Sequence, residues 1–572
     1  MENQPQTRPE STLSTPRIVT NPWVVLIVLI LGFFMILLDT TIVNVAIPSM
    51  SVGLHASLDQ ILWVLNAYIL VYAVLLITAG RLGDMFGPKR MFMYGLVLFV
   101  LASIASGLAQ NSGQLVLFRV IQAVGGALLT PQSMSLITSL FPPERRGAAF
   151  GVWAASAGVA TAAGPTLGGF LTTSFTWRAI FYVNVPIGIV AFILAYLMMP
   201  ELTIHRKHHL DVLGVLLASG GLFALVFALI EGQKYSWGRF TNFAAFSLGS
   251  IQASLFSVPT VLVAAVVLLA SFGMYERRHQ EGEPLLPLAL FKQRNFSVAN
   301  SVSAIVTFGI MGLFLPLTFF LQSVLGLPAE NAGVVFVPMS LTSMVIAPFA
   351  GRLSDRGLAK WILFVGILLF AAGMGAVIMV ASLTATGVTF TIPLIVAGIG
   401  MGCTFSPMIT LAMQNVHPTQ AGAASGFLNT VRQVGGALGT AAVGAVLANQ
   451  LSVELKSQAV RFSAQLPPHY RGHFINGFSH AAQGGLQLGR GQTGGNASIR
   501  NLPPQVAHQL GVLSQQVFDH GYLLAMKPAL SVSIIVLLLG AVTTLFMKSG
   551  RMTAVPQEQA PEKEPSMAAA GE

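Results

Sequence analysis

Fourteen apolar runs, each close to twenty residues, recur along this chain of 572 residues. They fall at about 23–47, 60–80, 91–110, 115–140, 147–171, 178–199, 212–231, 256–275, 297–322, 330–350, 361–382, 389–412, 421–448 and 523–547. A helix of about 20 residues spans the hydrocarbon of a bilayer, and inside lipid only helices and closed barrels satisfy their own backbone. The pattern therefore predicts an all-α polytopic membrane protein with fourteen transmembrane helices. Hydrophobic residues make up 54% of the chain and charged residues 9%, too little charge to cover a soluble protein of this length. The first run is too long for the core of a signal peptide, so a cleaved leader is not expected.

The net charge of +10 does not point to nucleic acid, because the basic residues form no stripe. They sit in alternate loops: Arg81, Lys89 and Arg90; Arg145 and Arg146; Arg206 and Lys207; Arg277, Arg278, Lys292 and Arg294; Arg352, Arg356 and Lys360. The intervening short loops, at about 111–114, 323–329 and 383–388, carry no Lys or Arg. By the positive-inside rule the even loops and both termini are expected in the cytoplasm of a cell membrane, a bacterial plasma or inner membrane. The lone Cys403 allows no intramolecular disulfide.

The chain repeats itself. Gly80-Arg81-Leu82-Gly83-Asp84 returns as Gly351-Arg352-Leu353-Ser354-Asp355, an offset of 271. Pro143, Gly147, Ala148, Gly151, Gly164 and Gly169 return as Pro418, Gly422, Ala423, Gly426, Gly439 and Gly444, an offset of 275. Six helices with short loops need roughly 180 residues, so two further helices are expected between the repeats. The divisions are an N-terminal tail (1–22), a six-helix bundle (23–199), a linker with two helices (200–295), a second six-helix bundle (296–548) and a C-terminal tail (549–572). Within the second bundle, 449–522 reads as one long loop on the far side, with Leu451–Leu466 and Val506–Val517 as possible short amphipathic helices. It is rich in Gly, Gln and His around Gly484–Gly495 and holds a sequon at Asn496-Ala497-Ser498. The polar tails, 1–20 and 552–572, are expected to be disordered. Parallel repeats are a signature of secondary transporters; a channel or a membrane enzyme could also be duplicated. No Gly-x-x-x-x-Gly-Lys-Ser/Thr phosphate loop occurs, so an ion gradient rather than a nucleotide is the expected energy source. No metal or cofactor is implied, and nothing suggests an enzyme.

Asp39 lies well inside the first span, where a carboxylate costs about 3 kcal/mol. Arg119 lies about five residues into the fourth span, so the two charges can meet in the outer half of the membrane and offset part of their burial. Burial disfavours an ionised carboxylate and a guanidinium favours it, so a conformational change that alters both could load and release a proton at Asp39. A cationic substrate would compete with that proton. Arg432 lies near mid-membrane in the thirteenth span with no acidic partner in its half, and its role stays open.

Four motifs carry a family resemblance. They are Leu38-Asp39-Thr40-Thr41-Ile42-Val43-Asn44-Val45-Ala46-Ile47-Pro48; Gly80-Arg81-Leu82-Gly83-Asp84-Met85-Phe86-Gly87-Pro88-Lys89-Arg90; Arg119-Val120-Ile121-Gln122-Ala123-Val124-Gly125-Gly126-Ala127; and Gly158 followed by Gly164-Pro165-Thr166-Leu167-Gly168-Gly169. Trp177, Arg178, Phe181, Asn184, Pro186 and Gly188 add a fifth match at the sixth span. Together they resemble the fourteen-helix drug:proton antiporters of the EmrB/QacA type, within the major facilitator superfamily. Met85 and Pro88 stand where that family usually has a basic residue, and Ala123 where it usually has Gly.

The resemblance implies a proton-driven exporter of amphipathic, cationic drugs or related hydrophobic compounds, working by alternating access without a cofactor. Its partners would be a small-molecule substrate, protons and the lipid bilayer, not nucleic acid, and a monomer would suffice. It implies proton coupling at Asp39 and Arg119, and a cytoplasmic gate at Gly80, Asp84, Gly87, Lys89, Arg90, Asp355 and Arg356. The antiporter motif is Gly158, Gly164, Pro165, Gly168 and Gly169. Asn44, Trp63, Asn66, Tyr68, Gln122, Phe308, Phe314 and Arg432 are candidates for the substrate cavity. Exporters of a dedicated lipid, siderophore or secondary metabolite share the same motifs. A nutrient symporter is disfavoured by the Gly158–Gly169 motif, and a transport-dead scaffold by the intact Asp39 and Arg119.

Overall fold

The computed structural model describes residues 21–201, 210–232, 234–235, 237–238, 240, 257–280, 284–481 and 504–548. The tails, Arg206 and Lys207, the Gly484–Gly495 stretch and the Asn496 sequon lie outside them. Thirteen described helical runs are long and apolar enough to cross a bilayer. One, Glu330–Val380, is 51 residues long, far more than one crossing needs. It is broken at Gly357, whose φ of 88° lies in the left-handed region open to glycine, and it supplies two crossings. The protein is thus an all-α polytopic membrane protein of two six-helix repeats with two inserted helices.

The spans are α1 (Pro22–Gly53), α2 (Leu58–Phe86), α3 (Pro88–Leu108), α4 (Ser112–Leu140), α5 (Pro143–Ser174), α6 (Ala179–Met198), the inserted pair α7 (Val212–Glu231) and α8 (Val258–Arg278), then α9 (Arg294–Val324), α10 (Val337–Leu353), α11 (Ala359–Val380), α12 (Thr391–Met413), α13 (Ala421–Ser463) and α14 (Pro504–Thr544). Local chemistry sets the helix starts. Pro22, Pro88 and Pro143 occupy first turns, where a missing N–H costs nothing. Ser57 and Gln60 form a capping box, and the Asn111 side chain accepts from Gln114 N at 2.9 Å.

The helices outrun the sequence reading in three places. α1 continues through Pro48 to Gly53, which lengthens the path from Asp39 to that end of the helix. Gly80–Asp84, expected in a loop, form the last turns of α2, and the chain reverses at Gly87 (φ 93°). Residues 449–463 and 504–522, assigned above to a loop, are helical continuations of α13 and α14, with a further helix at Pro468–Ala481 between them. Amphipathic stretches with no helix breaker simply extend the spans they follow.

Two lines of contact join the repeats: α2 packs on α13, and α5 packs on α10. These are equivalent pairs, the second and fifth helices of opposite halves. Inserted α7 packs on α2 and α13 as well as on α8.

Candidate functional site

Asp39 is completely buried, and so is Arg119. The Arg119 guanidinium donates through Nη1 to Asp39 Oδ2 in a close ion pair, and to Gln122 Oε1 at 2.8 Å; its Nε donates to the carbonyl of Val64 at 3.4 Å. Asp39 Oδ1 accepts from Gln122 Nε2 and from Asn184 Nδ2, each at 2.9 Å. Asn184 also donates to Ser103 Oγ at 3.0 Å, and Ser103 donates to the carbonyl of Phe181 at 2.8 Å. Helices α4 and α6 thus hold the carboxylate of α1 directly, and α2 and α3 hold its partners Arg119 and Asn184. Every partner of Asp39 donates, so the cluster is complementary to the ionised form. The guanidinium carbon lies 4.1 Å from the Tyr68 ring centroid and 5.9 Å from that of Phe181, so a cation–π face covers the charge from the side.

The sequence pointed to the pair but not to its surroundings. Gln122, read as a cavity residue, is a ligand of Asp39. Asn184 carried only a motif match, and Ser103 carried no signal at all, because a serine in an apolar helix is unremarkable. The antiporter motif stands directly behind the cluster. A Cβ on Gly164 would run into Thr41 Oγ1, two residues from Asp39, and one on Gly168 would sit 3.0 Å from Ile42 Cγ1. Thr41 Oγ1 reaches the carbonyl of Ala160 at 3.4 Å across the same contact. The glycines bring α5 against the Asp39 turn of α1. Gly158 does the equivalent against the Ser340 carbonyl of α10, while Gly169 faces Glu330 with room to spare. Pro165 lies in α5, with its side chain outside the described ones. Gly164→Ala is expected to lower the melting temperature and to weaken transport together, since the added methyl group must push α1 and its carboxylate aside; thermal unfolding and efflux of the purified variant check this.

The gate residues divide. Asp84, at the end of α2, accepts from Gly422 N and Ala423 N at the start of α13, both at 2.8 Å. Asp355 accepts from Gly147 N and Ala148 N at the start of α5, at 2.7 and 2.9 Å. Each carboxylate therefore takes two backbone N–H groups near the positive end of a helix in the opposite half: in the first turn of α13 for Asp84, and one turn into α5 for Asp355. A Cβ on Gly80 would strike the Gly422 carbonyl, and one on Gly351 would strike the Gly147 carbonyl. The same contact is built twice with the halves exchanged, and it holds them together at this face. Ser425 Oγ donates to the Pro131 carbonyl and Ser406 Oγ to the Gly147 carbonyl, both at 3.0 Å, adding two more crossings. The two offsets in the sequence are this symmetry. Lys89 and Arg90 do not join it. Lys89 Nζ donates to the Tyr196 carbonyl at 3.3 Å and Arg90 pairs with exposed Glu201 at 3.5 Å, so both turn toward the end of α6. Arg356 is exposed.

The cavity candidates scatter. Tyr68 is buried over Arg119. Trp63 faces Phe227 of inserted α7, ring centroids 6.1 Å apart. Phe314 stacks on Phe336 at 4.6 Å, and the Phe308 backbone packs against Gly439. Asn44 is exposed and donates back to the Thr40 carbonyl at 2.8 Å; Asn66 is half-buried. Arg432 alone brings a charge toward the meeting of α2, α12 and α13: its guanidinium carbon is 4.8 Å from the Phe405 ring centroid and its Nη1 donates to Asn429 Oδ1 at 3.3 Å.

Parallel six-helix repeats, meeting at a contact built twice, define the class: such proteins are secondary transporters that rock one half against the other. The chain belongs to the Major Facilitator Superfamily, which it matches over residues 29–440. It is 33% identical over 454 residues to the tetracenomycin C resistance and export protein of Streptomyces glaucescens, covering 79% of this chain and 81% of that one. It is 30% identical over 530 residues to multidrug resistance protein 3 of Bacillus subtilis, covering 92% and 94%. The solved proton:xylose symporter XylE shares the fold at a TM-score of 0.52 and 14% identity, over 81% of this chain and 94% of that one. The resemblance to the fourteen-helix drug:proton antiporter type holds against these relatives.

Proposed function

We propose that the protein is a proton-coupled antiporter that exports amphipathic drug-like compounds across a cell membrane, with both termini and the Asp84–Asp355 gate on the cytoplasmic side. The observation that carries the reading is the buried Asp39, held by Arg119, Gln122 and Asn184 inside one half of a duplicated bundle. A carboxylate so enclosed can gain a proton only when its donors let go. Proton binding removes the charge that holds Arg119, and the freed guanidinium alters the packing of α1 on α4. Rocking of the halves about the gate then exposes the site to the other side. No nucleotide or cofactor enters this cycle, and one chain is sufficient for it.

The names of the relatives support export of resistance-conferring compounds. A relative named for one compound, tetracenomycin C, favours a second reading, export of a dedicated secondary metabolite by the same mechanism. The deciding experiment is dye efflux from proteoliposomes with an imposed pH difference. Export that stops when the gradient is collapsed is the expected result; no pH-driven flux for any amphipathic dye would remove the multidrug reading.

Charge counting gives a prediction. With one proton per cycle at Asp39, exchange for a neutral compound moves one charge, worth about 2.3 kcal/mol per 100 mV, and exchange for a monovalent cation moves none. Flux at fixed pH difference and clamped potential should respond to voltage for the neutral compound only. A strong voltage response for the monovalent cation would reveal a second titrating group.

A further inference from the structure

The charge that the coupling cluster leaves over is positive. Asp39 is sealed, with both oxygens taken by donors of its own half. Arg432 differs. It stands eleven residues into α13, about 16 Å from the gate, and it is half-buried. Among the described residues no carboxylate pairs with it, its only hydrogen bond is the 3.3 Å contact to the neutral Asn429 amide, and its enclosed Nε has no partner. Burying a guanidinium with so few acceptors is costly unless an anion completes it.

Its surroundings have the shape of a subsite. The Phe405 ring of α12 lies on one side at 4.8 Å. α2 of the opposite half packs on α13 with Gly80 against Gly422 and Leu76 against Gly426, an antiparallel register that brings Tyr72, one turn further along α2, to the level of Thr430 and Arg432. Tyr72 stacks on Tyr68 at 5.9 Å with the rings 9° from parallel, and its hydroxyl meets Thr130 Oγ1 at 2.8 Å. Tyr68 in turn covers Arg119, and its own hydroxyl is buried without a partner. Two stacked rings of α2 therefore run from the level of Arg432 to the Arg119 guanidinium of the other half.

We propose that Arg432 is a specificity-determining residue that receives an acidic group (a carboxylate, sulfonate or phenolate) on an aromatic cargo, with the cargo's ring against Phe405. The inference rests on the exporter reading and specifies its substrate class. Guanidinium forms strong charge-assisted hydrogen bonds to oxyanions, and an aromatic wall selects compounds that carry the acid on a ring system. Cargo bound there touches helices of both halves, α2 as well as α12 and α13. The Tyr72–Tyr68 stack gives it a route to Arg119, whose release accompanies protonation of Asp39.

The test uses three probes with one aromatic body: pyrenylbutyl sulfonate, pyrenylbutyl trimethylammonium and pyrenylbutanol. Binding is measured on the purified full chain, and efflux in proteoliposomes with a pH difference. The wild type should prefer the sulfonate over the ammonium. Arg432→Gln should lower the sulfonate-to-ammonium affinity ratio about tenfold or more, the effect of one charge-assisted contact. Arg432→Lys should keep the direction of the preference while weakening it, which separates lost charge from lost folding. A wild type that prefers the ammonium, or an Arg432→Gln variant that weakens all three probes equally or none of them, would overturn the inference. If the binding preference is present but no probe is moved by the pH difference, the exporter reading fails while the subsite stands. If the ammonium and the alcohol are exported but the sulfonate preference is absent, the subsite fails alone.

Discussion

Asp39→Asn is expected to reduce pH-driven efflux to the level of protein-free liposomes while the protein still inserts in the membrane. Asparagine is nearly isosteric but carries no proton in exchange, so the step that couples the gradient is lost. It also leaves Arg119 buried without its counter-charge, a loss of about 3–5 kcal/mol when one partner of a buried pair is removed. The variant should therefore melt earlier than the wild type. Combining it with Arg119→Gln removes both charges and should recover much of that stability without restoring transport. Efflux and thermal unfolding, measured on the single and the double variant, separate the two effects. Sustained gradient-driven efflux by Asp39→Asn would mean that another group carries the proton.

The second large effect concerns the gate. Asp84→Ala removes two hydrogen bonds from a carboxylate to the start of α13. Bonds to a charged acceptor contribute about 1.5–3 kcal/mol each, so the equilibrium for closure at this face should shift by about two to four orders of magnitude. Asp355→Ala removes the equivalent pair at α5 and should act alike. Because the two contacts brace the same closure, the double variant should remain open there. Spin labels at Arg145 and Thr419, both exposed and on opposite halves, report the separation in a Cys403→Ala background. Turnover should fall more than substrate affinity. An unchanged distance distribution with normal turnover would show that closure does not depend on these carboxylates.

Much of the site could be read in the sequence where a residue was costly in its setting. A carboxylate in an apolar run has few innocent explanations, so Asp39 stood out, and Arg119 followed by depth. The duplicated Gly-Arg-Leu-x-Asp blocks were visible too, yet nothing in their sequence told that Asp84 and Asp355 would each cap a helix of the other half. That geometry needs two chain segments more than 200 residues apart. Neutral polar residues were hardest to read. Ser103 and Asn184 complete the Asp39 cluster, but serine and asparagine also occur in membrane helices with no special task. The surroundings of Trp63 were illegible for another reason: its contact with Phe227 depends on where inserted α7 docks, which no local pattern encodes. Helix at Leu451–Leu466 and Val506–Val517 was legible as short amphipathic pieces, but their continuity with α13 and α14 was not, because a span was taken to end where its apolar run ended.

Those continuations have a mechanical consequence. α13 is 43 residues long, about 65 Å, roughly twice the hydrocarbon thickness, and α14 runs beside it over 41 residues. α13 begins at the very amides that Asp84 grips. It is therefore a lever arm with one end at the Asp84 contact between the halves and the other extending well past the length one bilayer crossing needs. A tilt of the C-terminal half that parts Gly80 from Gly422 by a few ångströms must sweep the far tip through a larger arc. Each turnover should thereby move the helical stalk at the end of the molecule opposite the Asp84–Gly422 contact.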